Sequence, residues 1–283
     1  MKTVIVCDSG LGGLNIAAAM ANTGSTGEPC NMIYFNAYPA VGRGFNQRSG
    51  DEQEALFCGI LESMRKFDPD LVLIACNTLS IIYERLQKYY RPPFPVEGIV
   101  DIAVDAMYNA LQRSEEASLL ILGTRSTVES GVYRDRLIER NIDEKRISAL
   151  ACPGLATLIE SDPAAAAVSS RIREYAASAA ELFENAPRKL LLGLCCTHFG
   201  FAGDFWLEHF SSLAPDGAEL VNPNDFMGTG FCAEKLSYTA RIGFFPGAAE
   251  SMIGYFANRA PALAAALENA VIDENLFKSE AGI

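Results

Sequence analysis

Long hydrophobic runs are missing from this sequence. None of its 283 residues lies in a stretch of about 18 consecutive apolar residues, so we expect no transmembrane helix. The N-terminus also lacks a cleavable signal pattern, because Met1-Lys2-Thr3 leads directly into the apolar residues Val4-Ile5-Val6. We therefore expect a cytoplasmic protein with no membrane partner.

The eight cysteines lack the spacing of a metal-binding or disulfide-exchange motif. No two of them form C-x-x-C, so neither a zinc ribbon nor a thioredoxin-type motif is indicated. In a reducing compartment most cysteines are small buried apolar residues and a few are reactive.

Positive charge is scarce, since 23 Lys and Arg residues stand against 35 Asp and Glu residues, for a formal net charge of -12. This balance argues against nucleic acid or an anionic membrane surface as a partner. It does not exclude a small anion in a local pocket.

Nucleotide-binding signatures are also missing. The glycine-rich segment 8–13, Asp8-Ser9-Gly10-Leu11-Gly12-Gly13, has neither the G-x-G-x-x-G spacing nor the lysine of a phosphate-binding loop. Its three glycines allow a tight turn and a close approach of the backbone to a ligand. By themselves, Asp8 and Ser9 are best interpreted as a turn and a helix N-cap.

The apolar residues that are present alternate between strand and helix patterns. With 49% apolar residues, the chain is long enough for two cores. Buried runs such as 71–75 and 118–122 alternate with helical stretches such as 51–67 and 163–183. This alternation predicts two α/β domains with mostly parallel sheets. The chain after about residue 222 is expected to return and complete the first domain.

Two of the predicted strands end in a similar set of polar residues. Residues 71–75 lead into Cys76-Asn77-Thr78, and residues 189–194 lead into Cys195-Cys196-Thr197-His198. Ligands of open parallel sheets bind beyond the carboxyl ends of the strands, where helix N-termini can face an anion. One cysteine in such a place is most often a packing residue. Two at equivalent places favour a functional pair, Cys76 and Cys196.

The neighbours of Cys196 suggest how its thiol could be activated. Cys195, Cys196 and His198 are too few ligands for a local zinc site. An adjacent imidazolium or helix N-terminus instead lowers a thiol pKa from about 8.5 towards neutrality, so we expect His198 to act beside the thiol. Cys195 should point to the opposite face of the strand and belong to the core. Glu160, on a helix end, is by itself typical of a solvent-facing residue.

These motifs, taken in order, resemble those of the aspartate/glutamate racemase superfamily, and most of all its glutamate racemases. The matching segments are Asp8-Ser9-Gly10-x-Gly12-Gly13, Tyr34-Phe35, Ala75-Cys76-Asn77-Thr78, Gly123-Thr124-x-x-Thr127-x-x-Ser130, Ala151-Cys152-Pro153 with Glu160 following, and Cys196-Thr197-His198. They run through nearly the whole chain, and the two cysteine motifs preceded by Asp-Ser-Gly-x-Gly-Gly are specific.

The resemblance implies a fold and an activity. The fold is α/β with two pseudo-symmetric domains, residues 1–99 with 222–283 and residues 100–221, each a mostly parallel sheet flanked by helices. The active site would lie in the cleft between them. The activity would be racemisation of an amino acid without pyridoxal phosphate or metal, so no cofactor is expected. The expected partner is a small amino-acid substrate, with a homodimer left open.

The resemblance also implies roles for individual residues. Cys76 and Cys196 would be the acid/base thiols, assisted by Asp8, His198 and Glu160. The residues expected to bind the substrate are Ser9, Asn77, Thr78, Thr124, Thr197, Gly42, Arg43 and Gly44. Chemistry agrees, because inverting an α-carbon requires one proton-transfer group on each side, and hydroxyl and amide donors can stabilise the enolate-like intermediate.

One loop departs from the glutamate racemase pattern. Those enzymes generally have Gly-Asp-Thr/Ser-Ala-Arg and then Pro-Tyr-Gly, whereas this chain has Asn36-Ala37-Tyr38 and, further along, Gly42-Arg43-Gly44. The family's loop borders the substrate. Arg43 either binds a substrate carboxylate or is simply solvated. If it binds a carboxylate, glutamate or aspartate would be preferred to neutral amino acids.

Other functions remain open at this point. A relative with the same fold could decarboxylate a malonate, isomerise a small cis-dicarboxylate, or racemise a different amino acid. A non-enzymatic binding protein is a further alternative, but the pair of cysteines argues against it.

Overall fold

A computed structural model describes residues 1–21, 27–37, 45, 48–183, 186–240 and 246–273. The chain divides into two compact units, Met1–Ile99 with Met227–Ile283, and Val100–Phe226. Each unit contains one sheet of parallel strands flanked by helices. The prediction of an α/β fold with parallel sheets is therefore confirmed.

The described strands are β1 (Lys2–Asp8), β2 (Glu28–Asn36), β3 (Leu71–Ile74), β4 (Val96–Gly98), β5 (Ala117–Gly123), β6 (Ile147–Ala151), β7 (Lys189–Cys195), β8 (Ala218–Val221), β9 (Phe231–Ala240) and β10 (Val271–Ile272). The described α-helices are α1 (Leu14–Ala21), α2 (Gly50–Met64), α3 (Asn77–Leu86), α4 (Ile99–Gln112), α5 (Arg125–Glu129), α6 (Val132–Glu139), α7 (Leu155–Ser161), α8 (Ala166–Ala180), α9 (Gly203–Phe210), α10 (Pro246–Phe256) and α11 (Pro261–Glu268). None of these helices is both long and apolar enough to cross a bilayer.

The sheet of the first unit has the strand order β10-β9-β2-β1-β3-β4, and all of its pairings are parallel. Four successive residues of β1, from Val4 to Cys7, are fully buried, as expected of a strand covered on both faces. Ile5 and Cys7 belong to a core cluster that also contains Phe57 of α2 and Leu79 of α3. This burial holds the carboxyl ends of β1 and β3 in a fixed place.

The first unit is completed by the segment after residue 226. β9 pairs with β2 from Glu28 opposite Phe231 to Asn36 opposite Ala240, with one irregularity at Cys30 and Asn31. Helix α11 contacts β9 and α1. The late segment thus supplies a long interior strand of the sheet as well as helices.

The second unit has a four-stranded sheet in the order β6-β5-β7-β8, again with parallel pairings. The register places Gly123 of β5 opposite both Ala151 of β6 and Cys195 of β7. The carboxyl ends of these three strands therefore lie side by side. Cys152 and Cys196, which follow β6 and β7, lie at this edge.

Candidate active site

The first unit brings Asp8 to the carboxyl edge of its sheet. Asp8 is fully buried, and its Oδ1 accepts a hydrogen bond from the Gly10 N–H at 2.9 Å. A Cβ on Gly13 would lie 3.0 Å from Asp8 Oδ2 and 3.1 Å from the Ala75 Cβ, so only glycine fits beside the carboxylate without movement. The Gly10 carbonyl accepts a hydrogen bond from the Tyr34 hydroxyl at 2.8 Å. The glycine-rich turn is therefore built around Asp8.

Cys76 lies at the start of α3, next to that turn. It is the N-cap residue of the helix, with 7% of its surface exposed. Its Sγ lies 3.3 Å from the Ser9 Oγ. Asn77 and Thr78, in the first turn of α3, are buried. The arrangement places a thiol at a helix N-terminus, where the local dipole favours negative charge.

Cys7 differs from its neighbour Cys76. It is completely enclosed, and burial, together with the nearby Asp8 and Cys76, raises the pKa of the Cys7 thiol well above its usual value. Cys7 is thus held as a neutral thiol in the core.

The second unit presents Cys196 in an equivalent way, after a buried parallel strand. Cys196 is the N-cap residue of a short 3-10 helix, Thr197–Ala202, and is 6% exposed. Cys195 and Cys152 lie close to it. The pKa of each of these two thiols is raised, mainly by burial and to a smaller extent by the neighbouring Cys196. As predicted from the strand direction, Cys195 is a fully buried residue.

His198 connects the Cys196 thiol to a carboxylate. Its Nδ1 lies 3.9 Å from Cys196 Sγ, and its Nε2 lies 2.5 Å from Oε2 of Glu160 on α7. Burial alone lowers the pKa of His198, but the hydrogen bonds to Cys196 and Glu160 and the Glu160 charge raise it well above the usual value. The contacts with Glu160 and Cys196 therefore favour the protonated imidazole, and a cation beside a thiolate stabilises the thiolate.

The turn after Cys196 is also held through its backbone. Thr197 is buried, and its carbonyl accepts a hydrogen bond at 2.9 Å from Nδ2 of Asn224, which follows β8. Asn224 was not among the residues predicted from the sequence. Its contact joins a side chain to a backbone carbonyl 27 positions away, so no sequence spacing indicates it.

Comparison with known proteins identifies the family. The model of the Asp/Glu/Hydantoin racemase family matches residues 16–200, which is more than half of the chain. This chain belongs to the Asp/Glu/Hydantoin racemase family. The expected superfamily and the expected class of isomerase are therefore confirmed.

Several curated relatives of this racemase family member are glutamate racemases. The one from Staphylococcus haemolyticus is 30% identical over 160 residues, which is 56% of this chain and 56% of the relative. The one from Campylobacter jejuni is 27% identical over 221 residues, 78% of this chain and 80% of the relative. The chain thus spans just over half of the first relative and most of the second.

Solved glutamate racemases share the fold. The Campylobacter jejuni structure has a TM-score of 0.66 at 23% identity and covers 89% of this chain and 97% of its own. A Bacillus anthracis structure has a TM-score of 0.67 at 19% identity, covering 90% of this chain and 94% of its own. At these identities the likeness shows the fold alone.

Among the residues predicted to bind the racemase substrate, Thr124 has a defined local role. Its Oγ1 caps α5 by accepting from the Thr127 N–H at 3.3 Å, and it also contacts the Thr127 hydroxyl at 2.9 Å. Thr124 therefore shapes the turn after β5, next to the strand that ends at Cys195. A role in binding the substrate stays a prediction.

The predicted loop residues Gly42, Arg43 and Gly44 lie outside the described residues. Their expected part in recognising the substrate stays a prediction. Within the described parts of this racemase, no group of three or more His, Cys, Asp and Glu side chains is placed to hold a metal ion.

Proposed function

We propose that the protein is a cofactor-independent racemase of glutamate or a closely related acidic amino acid, with Cys76 and Cys196 as its two acid/base groups. The observation that carries the proposal is the matched placement of these thiols. Each follows a buried parallel strand, starts a helical turn and has a polar partner, Ser9 in one unit and His198 in the other.

In the proposed reaction, one cysteine is a thiolate and the other a thiol. The thiolate takes the α-proton of the amino acid, and the electron pair of the C–H bond moves into the carboxylate to form an enolate-like intermediate. The thiol then donates its proton to the opposite side of the α-carbon. Each enantiomer thus uses one thiol as base, and the reverse reaction exchanges the roles of Cys76 and Cys196.

Stabilisation of the intermediate is assigned to donors around the two thiols. The buried Asn77, Thr78 and Thr197 and the half-buried Ser9 can all donate hydrogen bonds, and the backbone amides at the two helical starts add further donors. Removal of one donor of this kind lowers the rate by about 100-fold. His198, held as a cation by Glu160, would balance the thiolate form of Cys196.

Glutamate is the favoured substrate because curated relatives along most of the chain carry that activity in their names. The Escherichia coli glutamate racemase, which has a TM-score of 0.65 to this chain, was solved in complex with L-glutamate. Recognition of the second carboxylate by Arg43 belongs to the same proposal. A cytoplasmic location and a homodimer are also part of the proposal. Light scattering of the purified protein would test the homodimer.

The test is incubation with L-glutamate, and separately with D-glutamate, in heavy water. We expect loss of the α-proton signal in proton NMR together with appearance of the opposite enantiomer on a chiral column. Neutral amino acids should react more slowly. Decarboxylation of a malonate or isomerisation of a cis-dicarboxylate, with no racemisation of any amino acid, would assign the protein to the alternative reactions.

The two thiols are tested by single substitutions. Cys76→Ala and Cys196→Ala should each lower racemisation by about 100-fold to 10,000-fold, the range of a lost acid/base group, while the circular dichroism spectrum is retained. Cys195→Ala is the matched control, because Cys195 is adjacent to Cys196 but buried in the core. Full activity in either active-site variant contradicts the two-thiol assignment.

A further inference from the structure

Asn224 combines a satisfied donor with an unsatisfied acceptor. The residue is 3% exposed, and its Nδ2 donates to the Thr197 carbonyl at 2.9 Å. Its Oδ1 is enclosed, with less than 1 Å² of exposed surface, and it has no hydrogen-bond partner among the described residues. A carbonyl acceptor fixes the orientation of the amide, because only the NH₂ group can face it.

A buried acceptor without a partner costs free energy, and an apolar side chain of similar shape would avoid that cost. An amide at this position is therefore explained by its NH₂ group, which donates a hydrogen bond to the Thr197 carbonyl and so holds it in place. Because Oδ1 is enclosed by protein, it is not available to a substrate. The role of Asn224 is accordingly structural support of the turn that it contacts.

That turn carries the chemistry of the second unit. The Thr197 carbonyl belongs to the peptide group that joins Thr197 to His198, so its orientation determines where the His198 side chain starts. The ring of His198 is held at its far end by Glu160, at 2.5 Å, and its Nδ1 lies 3.9 Å from Cys196 Sγ. Asn224 holds the backbone side of the same residue, and together the two contacts define the place of the imidazole beside the thiol.

We propose that Asn224 is a positioning residue that aligns His198 with Cys196, so that proton transfer at Cys196, and not at Cys76, depends on its amide. The consequence for racemisation rests on the proposed function. The consequence for the reactivity of the Cys196 thiol does not, because it requires no substrate.

The experiment compares Asn224→Leu and Asn224→Asp with the full-length wild type. Leu removes the amide with a similar shape, and Asp replaces the donor by an acceptor facing the Thr197 carbonyl. Asp225→Asn is the matched control, because it makes the reverse exchange between Asp and Asn at the next residue. The new side chain keeps an oxygen acceptor for the Asn222 amide, which lies 2.8 Å from Asp225 Oδ1 in the wild type. Thermal unfolding and near-ultraviolet circular dichroism verify that each variant is folded.

The first readout is the alkylation rate of individual cysteines under brief exposure to iodoacetamide at pH 7, measured by peptide mass spectrometry. We expect the ratio of Cys196 to Cys76 modification to change by about 10-fold in both Asn224 variants, and to stay within twofold of wild type in Asp225→Asn.

The second readout is turnover of both glutamate enantiomers. The kcat should fall by about 10-fold to 100-fold with little change in KM. The primary isotope effect of α-deuterated substrate should increase for one enantiomer only.

An unchanged ratio of Cys196 to Cys76 alkylation in folded Asn224→Leu overturns the proposal. So does an equal rise of the isotope effect for both enantiomers, which would indicate a general structural role. If wild type itself racemises no amino acid while the alkylation ratio still responds to Asn224, the proposed function fails and the positioning role stands.

Discussion

At the scale of single residues, the pair of His198 and Glu160 links the charge of the site to the stability of the fold. Burial lowers the pKa of His198, but the contacts with Cys196 and Glu160 raise it well above its usual value. The folded protein thus binds the proton more tightly than the unfolded chain. This contribution to the free energy of unfolding is fully present below the unfolded pKa of about 6.5, and it is lost as the pH rises through the folded pKa.

The prediction is that Glu160→Gln weakens this dependence on pH. Near pH 6 the variant should lose about 1 to 2 kcal/mol of stability, because a charge-assisted hydrogen bond becomes a neutral one, and the difference from wild type should shrink as the pH rises through the folded pKa. Urea denaturation between pH 6 and pH 9 measures it. Glu139→Gln, an exposed change on α6, is the control. A difference that is independent of pH would contradict the raised pKa of His198.

At the scale of secondary structure elements, Gly13 is the place where the β1 to α1 connection packs against Ala75, the residue that follows β3. A Cβ there would meet Asp8 Oδ2 at 3.0 Å and the Ala75 Cβ at 3.1 Å. We predict that Gly13→Ala displaces the Asp8 carboxylate, lowers racemase activity by about 10-fold or more, and destabilises the fold by about 1 to 3 kcal/mol.

Gly59→Ala is the matched control for that change. Gly59 lies inside α2, and a Cβ added to it meets no atom within 4 Å. Alanine is favoured over glycine in a helix, so this variant should be more stable than wild type by about 0.5 to 1 kcal/mol, with full activity. Equal effects of the two substitutions in thermal unfolding and in turnover would show that contact with Asp8 does not matter.

The elements differ in how well the sequence predicts them. The strands β1, β3, β5 and β7 contain continuous apolar runs buried on both faces, and such runs are recognisable in the sequence. The strand β9 was not predicted, because Phe231–Ala240 reads FCAEKLSYTA, with charged and polar residues inside it. What places it in the sheet is its pairing along β2, which is a contact distant in sequence.

The same distinction holds for the candidate site. Cys76 and Cys196 were indicated by their places after apolar runs, because local pattern predicts where a strand ends. The contact of Glu160 with His198 joins residues on α7 and on the 3-10 helix, and the hydrogen bond of Asn224 to Thr197 depends on the neighbouring ends of β7 and β8. Such contacts follow from tertiary packing, so the sequence alone did not show them.

At the scale of the whole molecule, the two units depend differently on the segment after residue 226. The second unit is continuous from Val100 to Phe226, whereas the first needs the late segment for β9. Without β9, the strand β2 would still pair with β1 but would become an edge strand, with the backbone groups on its other side unpaired. The buried Tyr34 would also lose its stacked partner Tyr238, whose ring centroid lies 5.6 Å away.

We therefore predict that a chain truncated after Phe226 retains the second unit and loses the first. Limited proteolysis with mass spectrometry should show rapid cleavage within residues 1–99 and protection of residues 100–226. Because Cys76 belongs to the lost unit, racemisation should disappear. The alkylation of Cys196 should still respond to Asn224→Leu in the truncated chain, since Asn224, Thr197, His198 and Glu160 all belong to the second unit. Equal protection of both regions would show that β2 does not require β9, and equal cleavage of both would show that the second unit does not fold independently.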